Sequence, residues 1–356
     1  MKRSVLFLAA LVTVTCGWAQ NLNKKEAKAL QTYLSQPAAK GGNNAEALGM
    51  NGSNVAACPG VTVENGHVTA IDWKGKNLAG ELDLAGFPAL TKVDVSNNKI
   101  TGMTLSGNPA LVEVKAGKNR IKEVTITGCP AIQNLSLNKN KLAEMDLGSL
   151  PFLKKLNLAG NMFDALDVHN AVNLEYLNVM SNDLESLNVT GCQSLKSLYA
   201  GFNDITSIEL GGLVKLENLN INSNKIAKLY VQDLPNLQTL LCSDNHMADL
   251  AVKGAKALSE IWAPYNDLTS FNVDMTCQNL AFVNVEWNDL TYLSLSNFNF
   301  LQRVNAANNQ LVTLDLTFDP MLRFVNVTNN EMLTDARFQG DTQLIHVIGY
   351  NDFYDF

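Results

Sequence analysis

One spacing governs this chain. An apolar residue returns every 21 or 22 positions, at Val68, Leu90, Leu111, Ile132, Leu153, Leu174, Leu195, Leu216, Leu237, Leu258, Leu280, Leu301, Leu322 and Leu344. A unit this short can bury only one face, and only by stacking on its neighbours. The sequence therefore predicts a solenoid rather than a globule with one centre. The fourteen units run from Val68 to Phe356, about four fifths of the 356 residues. A length that would otherwise suggest two or three domains thus reads as one elongated body.

Each column of the repeat has a physical reason. Counting the recurring apolar residue as position 0, positions +3 and +5 are also apolar. That is strand alternation, with both side chains pointing into one core. Position +8 is Asn in twelve of fourteen units, Asn98 through Asn330, with Lys76 and Asp352 in the first and last. An amide there can satisfy backbone groups where the chain leaves its strand, and stacked copies are expected to form a hydrogen-bonded ladder. Positions +13 and +15 form a second apolar pair, as in Leu187/Val189 and Leu314/Leu316, so the return leg is expected to be a short strand. Pro88, Pro109, Pro130, Pro151, Pro235 and Pro320 stand two residues before position 0, where a missing N–H costs the sheet nothing. At about 4.8 Å per strand the ladder is roughly 65 Å long.

Leu156-Asn-Leu158-Ala-Gly-Asn161 with Leu166-Asp-Val168, and Leu311-Val-Thr-Leu314-Asp-Leu316, carry a resemblance. The chain resembles bacterial leucine-rich-repeat proteins of the 21-residue type, with the pattern LxxLxLxxNxLxxLDL, a family that includes internalin-like surface proteins. The resemblance implies a leucine-rich-repeat solenoid that binds partners on its concave parallel sheet. Loops one residue longer near Gly80, Asp274 and Asp335 put the register in question at those points.

Before the repeats, Lys2-Arg3, the apolar run from Val5 to Thr15 and Gly17-Trp18-Ala19 have the layout of a secretory signal peptide over residues 1–19. It directs the chain to a secreted, periplasmic or cell-surface location. Lipidation at Cys16 is the alternative. No later stretch is apolar for the 18 residues that a membrane span needs. Residues 20–67 do not repeat and read as a cap over the first unit. Within them Asn23 is the expected N-cap of a helix ending near Leu34, with Glu26 as its capping-box partner. Phe353, Tyr354 and Phe356 are expected to close the far end.

Chemistry is sparse. No HExxH, GxSxG, P-loop or Cys-x-x-Cys pattern occurs, and the four histidines sit in distant units as surface residues. No metal, cofactor or catalytic activity is expected. Cys129 and Cys192 share a column but stand three units apart, about 14 Å, beyond disulfide reach. The cysteines from Cys58 onward read as buried free thiols, with an intermolecular or labile Cys58 as the open alternative. A net charge of −7 argues against nucleic acid as a partner. Acidic residues such as Asp146, Asp167 and Asp315, at +14, form a solvated outer stripe.

The concave positions, +2, +4 and +6 with +7 at the rim, are uneven. Early units carry Lys74, Lys92, Lys115, Lys118, Lys139 and Lys155. Later units carry Tyr176, Tyr199, Phe202, Leu241, Trp262, Tyr265, Phe282, Trp287 and Phe324, where polar residues would suffice. These nine are the candidate ligand-binding residues if their rings stand free. If the backbone shifts at Ala200 and Ala263, two small residues in the +5 core column, the rings instead pack inward. A protein or peptide partner is the first expectation. A glycan stacked on the aromatics is the second, and a scaffold without a dedicated ligand the third.

Overall fold

The computed structural model describes residues 22–50, 54–147, 150–169 and 171–350. The leader, Cys16 and the closing aromatics Phe353, Tyr354 and Phe356 lie outside the described residues.

The repeat builds the expected parallel ladder. Fourteen strands, one per unit from His67–Asp72 to His346–Ile348, pair in sequence order within a 15-stranded sheet. Pairing is in register at +2, +3 and +4, as in Tyr176↔Ser197, Leu177↔Leu198 and Asn178↔Tyr199. The longer units keep this register, with Ala70↔Lys92, Glu260↔Phe282 and Phe324↔His346. Their extra residue is absorbed on the return side. Near Gly80 it makes a register shift between return strands Ala79–Asp83 and Lys99–Ser106. At Asp274 the return ladder breaks after Ser270–Val273. The +3 and +5 side chains form one continuous core with those of +13 and +15.

Return legs are strands in units 1–3, 5–6, 8–10 and 11–13, in four small parallel sheets. Units 4 and 7 depart from the expectation. Among the described residues they have no return strand, and there Met145, Leu147 and Ile208 stay only half-buried instead of seating fully in the core.

The Asn column holds the turns, but its rungs run from side chain to backbone rather than from one Asn to the next. Asn203 Nδ2 donates to Ala200 O of its own unit at 3.0 Å and to Val179 O of the preceding unit at 3.1 Å. Its Oδ1 accepts from Leu184 N, again in the preceding unit, at 3.1 Å. The same set recurs at Asn224 and Asn309.

Ahead of unit 1, a helix (Lys24–Leu34) buries Leu30, Tyr33 and Leu34 against the first turn, with Tyr33 stacked on the buried Trp73 at 5.7 Å. Asn23 caps it as expected, accepting from Lys25 N and Glu26 N. The capping box does not close. Glu26 is buried and turns its carboxylate to His67 Nδ1 at 2.6 Å and Val68 N at 2.8 Å, while Asn23 N donates to Gly66 O. His67 is therefore a half-buried hydrogen-bond partner of Glu26 and not a plain surface residue.

Both open edges at this end are covered. Strand Val61–Glu64 adds to the concave sheet in antiparallel fashion. On the return side, Asn44 and Gln36 act as surrogate strand residues. Asn44 exchanges two hydrogen bonds with Ala79, and Gln36 two with Glu81, each through side-chain amide and backbone. Edge pairing is thereby satisfied without a further strand.

Candidate functional site

The scaffold aims positions +2 and +4 outward from the concave sheet, where six of the nine candidates stand, and Phe202, Tyr265 and Trp287 stand at +7 on its rim. None turns inward. Phe202, Tyr265 and Trp287 are 56%, 55% and 51% exposed and Trp262 is 36%, while Tyr176, Tyr199, Leu241, Phe282 and Phe324 are half-buried. Ala200 and Ala263 are fully buried, and the strands on either side pair without a shift. The rings pack on one another across units. Tyr176 and Tyr199 are 5.6 Å apart, Trp262 and Phe282 4.4 Å, and Tyr265 and Trp287 6.0 Å with planes 11° from parallel.

The structure thus groups the candidates into two clusters. Tyr176, Tyr199 and Phe202 occupy units 6 and 7; Leu241, Trp262, Tyr265, Phe282 and Trp287 occupy units 9 to 11. Asn218, Asn220 and Asn222 of unit 8 separate them, and Phe324 stands apart in unit 13.

In units 7, 9 and 10 the chain gives up its own turn chemistry, while Asn178 and Asn284 keep it in units 6 and 11. Position +4 is Asn or Asp in eight units, and its side chain accepts a hydrogen bond from the +6 N–H, as in Asn157 to Ala159 and Asn220 to Asn222, both 3.1 Å. Tyr199, Leu241 and Trp262 cannot do this. In unit 9 the orphaned Ser243 N is served by Asn222 Oδ1 of the neighbouring unit at 2.8 Å. In unit 10 the +6 residue is Pro264, which has no N–H to satisfy.

Position +7 carries a second departure. It adopts left-handed backbone throughout the described units, with Gly75, Asn97, Gly160 and Asp244 among its occupants. Glycine and Asn tolerate that region; a bulky aromatic there is an outlier costing on the order of 1–3 kcal/mol. Phe202, Tyr265 and Trp287 hold φ values of 57°, 57° and 52°. Sequence reading placed these rings at the rim but missed the strain, although Gly, Asn, Ser and Asp hold eight of the thirteen described places in that column, with Lys118 and Lys139 in two others, and so signal it.

Charge divides along the face. In the early units Lys92 and Lys115 both engage Glu113, at 2.9 and 2.6 Å, and hold its carboxyl below the usual range. A groove of about 390 Å³ opens there between Lys115, Lys155 and Tyr176, over the short Asn134 and Ser136. In the aromatic units Glu260 Oε2 accepts from Trp262 Nε1 at 3.2 Å, and Glu286 Oε1 from Asn284 Nδ2 at 3.1 Å. Among the described residues no group of three or more His, Cys, Asp or Glu is placed to hold a metal ion, and no helix is long and apolar enough to cross a membrane. Cys58, Cys129, Cys192, Cys242 and Cys277 are buried free thiols, and burial pushes Cys58 up to about 11.

A stacked parallel ladder closed by an Asn column, with an aromatic strip on its inner face, defines a leucine-rich-repeat solenoid. Solved structures similar to it bear out that fold. The functional domain of InlJ from Listeria monocytogenes, which includes a cysteine ladder, superposes with a TM-score of 0.59 at 23% identity over 78% of this chain and 57% of that one. YopM from Yersinia enterocolitica gives 0.62 at 23% identity over 80% and 63%. The internalin InlF from Listeria monocytogenes gives 0.53 at 18% identity over 90% and 96%. The chain spans less than two thirds of the length of the first two. No family model and no curated protein matches the sequence.

Proposed function

We propose that this chain is a binding solenoid, exported by its leader to the cell surface or beyond, that holds a protein or peptide partner on the aromatic clusters of units 6–7 and 9–11. One observation carries the reading. Phe202, Tyr265 and Trp287 stand exposed in the left-handed +7 backbone that Gly and Asn tolerate best, so the chain bears a structural cost to display them. Strain kept at an exposed surface points to use. The two clusters, about 10 Å apart from unit 7 to unit 9, suit an extended ligand lying along the ladder. No catalytic group takes part.

Trp262 ends the strand Glu260–Trp262 in the middle unit of the larger cluster and is the expected anchor. Trp262→Ala should weaken binding of the native partner about 30-fold or more, the equivalent of the 2 kcal/mol that an anchoring aromatic supplies. Asn220→Ala, at the same position in the polar unit, should leave affinity unchanged. Titration calorimetry of both variants against the partner decides the matter, and equal affinities would overturn the reading. A sugar-specific signal on a glycan array that vanishes in Trp262→Ala would move the ligand to carbohydrate.

A further inference from the structure

Neutralisation along the concave face is uneven. Glu113 in unit 3 is held by two lysines, and Glu175 on the sheet margin of unit 6 by Lys196 at 3.1 Å. Glu260 and Glu286, in the aromatic cluster, have no cation paired with them among the described residues, and neither does Asp244. Asp244 precedes Tyr265 and Trp287 in the +7 row, and Glu260 precedes Phe282 in the +2 row. On this face Arg303 of the following unit pairs in register with Phe282 and makes no ion pair among the described residues.

Two physical terms then point the same way. The faces of Trp262, Tyr265 and Trp287 carry negative quadrupoles that attract a cation, by about 0.5–1 kcal/mol each at exposed sites. Carboxylates within the same units add charge-assisted hydrogen bonding, for which a planar guanidinium is the best match. Lysines line the other half of the face and repel the same group. We infer that units 9–11 receive an arginine-bearing segment of the polypeptide partner, its guanidinium lying against the Trp262 and Tyr265–Trp287 rings and bonded to Glu260 or Glu286. This rests on the concave face being the binding face and assigns the chemistry that it reads.

The probe is an acetylated, amidated heptapeptide alternating glycine and arginine. A glutamate counterpart and a counterpart alternating glycine and tryptophan serve as comparisons. Binding to the full chain is followed by calorimetry and by quenching of tryptophan emission. The arginine peptide should bind at least tenfold more tightly than the glutamate peptide, with affinity falling as salt rises. The double variant Glu260→Gln/Glu286→Gln keeps the side-chain shapes and the acceptor for Trp262, and should lose at least tenfold for the arginine peptide alone. Equal binding of the arginine and glutamate peptides overturns the assignment, as does an arginine affinity unchanged in the double variant. If the arginine peptide fails either test while the tryptophan peptide binds wild type but not Trp262→Ala, the concave reading stands and the arginine assignment falls.

Discussion

Single side chains in this molecule act mainly by serving backbone. Asn203 ties together four backbone groups of two units from a site only 8% exposed. Asn203→Ala should therefore cost about 1–3 kcal/mol, since buried groups lose their partners. A melting temperature equal to that of wild type would contradict this. Asp319 is the opposite case. It is fully buried, its Oδ1 accepts from Phe298 N at 2.7 Å, and its Oδ2 has no partner. Burial pushes it up to about 8, and Asp341, which accepts from Asp319 N, up to about 6. Because the folded chain favours the protonated acid, this contribution is complete below the unfolded value near 4. It is lost as pH rises through about 8. Asn108, in the same column of unit 2, donates from its amide to Leu84 O and Phe87 O. Asp319→Asn should accordingly slow amide exchange at Phe298 above pH 7 and flatten its pH dependence. Faster exchange in the variant would mean that the charged form is the one the fold prefers.

At the scale of elements, the first return strand is held by amides from a segment that is not a strand. Asn44 is fully buried and bonds Tyr33 O as well as both backbone groups of Ala79. Asn44→Ala should cost about 2–3 kcal/mol and loosen the first units ahead of the rest. Amide exchange that accelerates evenly along all fourteen units would refute such local coupling. The ladder, the Asn column and most return strands were legible because period alone sets them. Asn44 and Gln36 were not, since their partners lie 35 and 45 residues away and belong to no repeat. Glu26 looked like a capping-box residue for the same reason: its local spacing fits, but the first unit of the solenoid offers the buried carboxylate His67 and Val68 N. The candidate rings were legible as outward positions. Their exposure was not, because it depends on whether Ala200 and Ala263 leave the backbone in place, which is a matter of packing across units.

As a whole, the molecule is a row of near-identical steps, so its length and its surface can vary separately. Removing residues 216–236 takes out unit 8 and joins Lys215 to Leu237 at equivalent repeat positions. The shortened chain should fold and melt within a few degrees of the parent, because each unit contacts only its neighbours. Its two aromatic clusters would approach by about 4.8 Å, and an extended ligand that spans both should bind more weakly. Circular dichroism showing an unfolded product would refute the independence of the units. The Asn bonds add a direction to this row. Each amide reaches back to the turn before it, so no turn is complete until the next unit has arrived. A chain growing from its N-terminus would then fold as a ratchet, every new step locking its predecessor while its own turn waits open, and the covered edge at Asn44 and Gln36 would be the pawl from which the count begins.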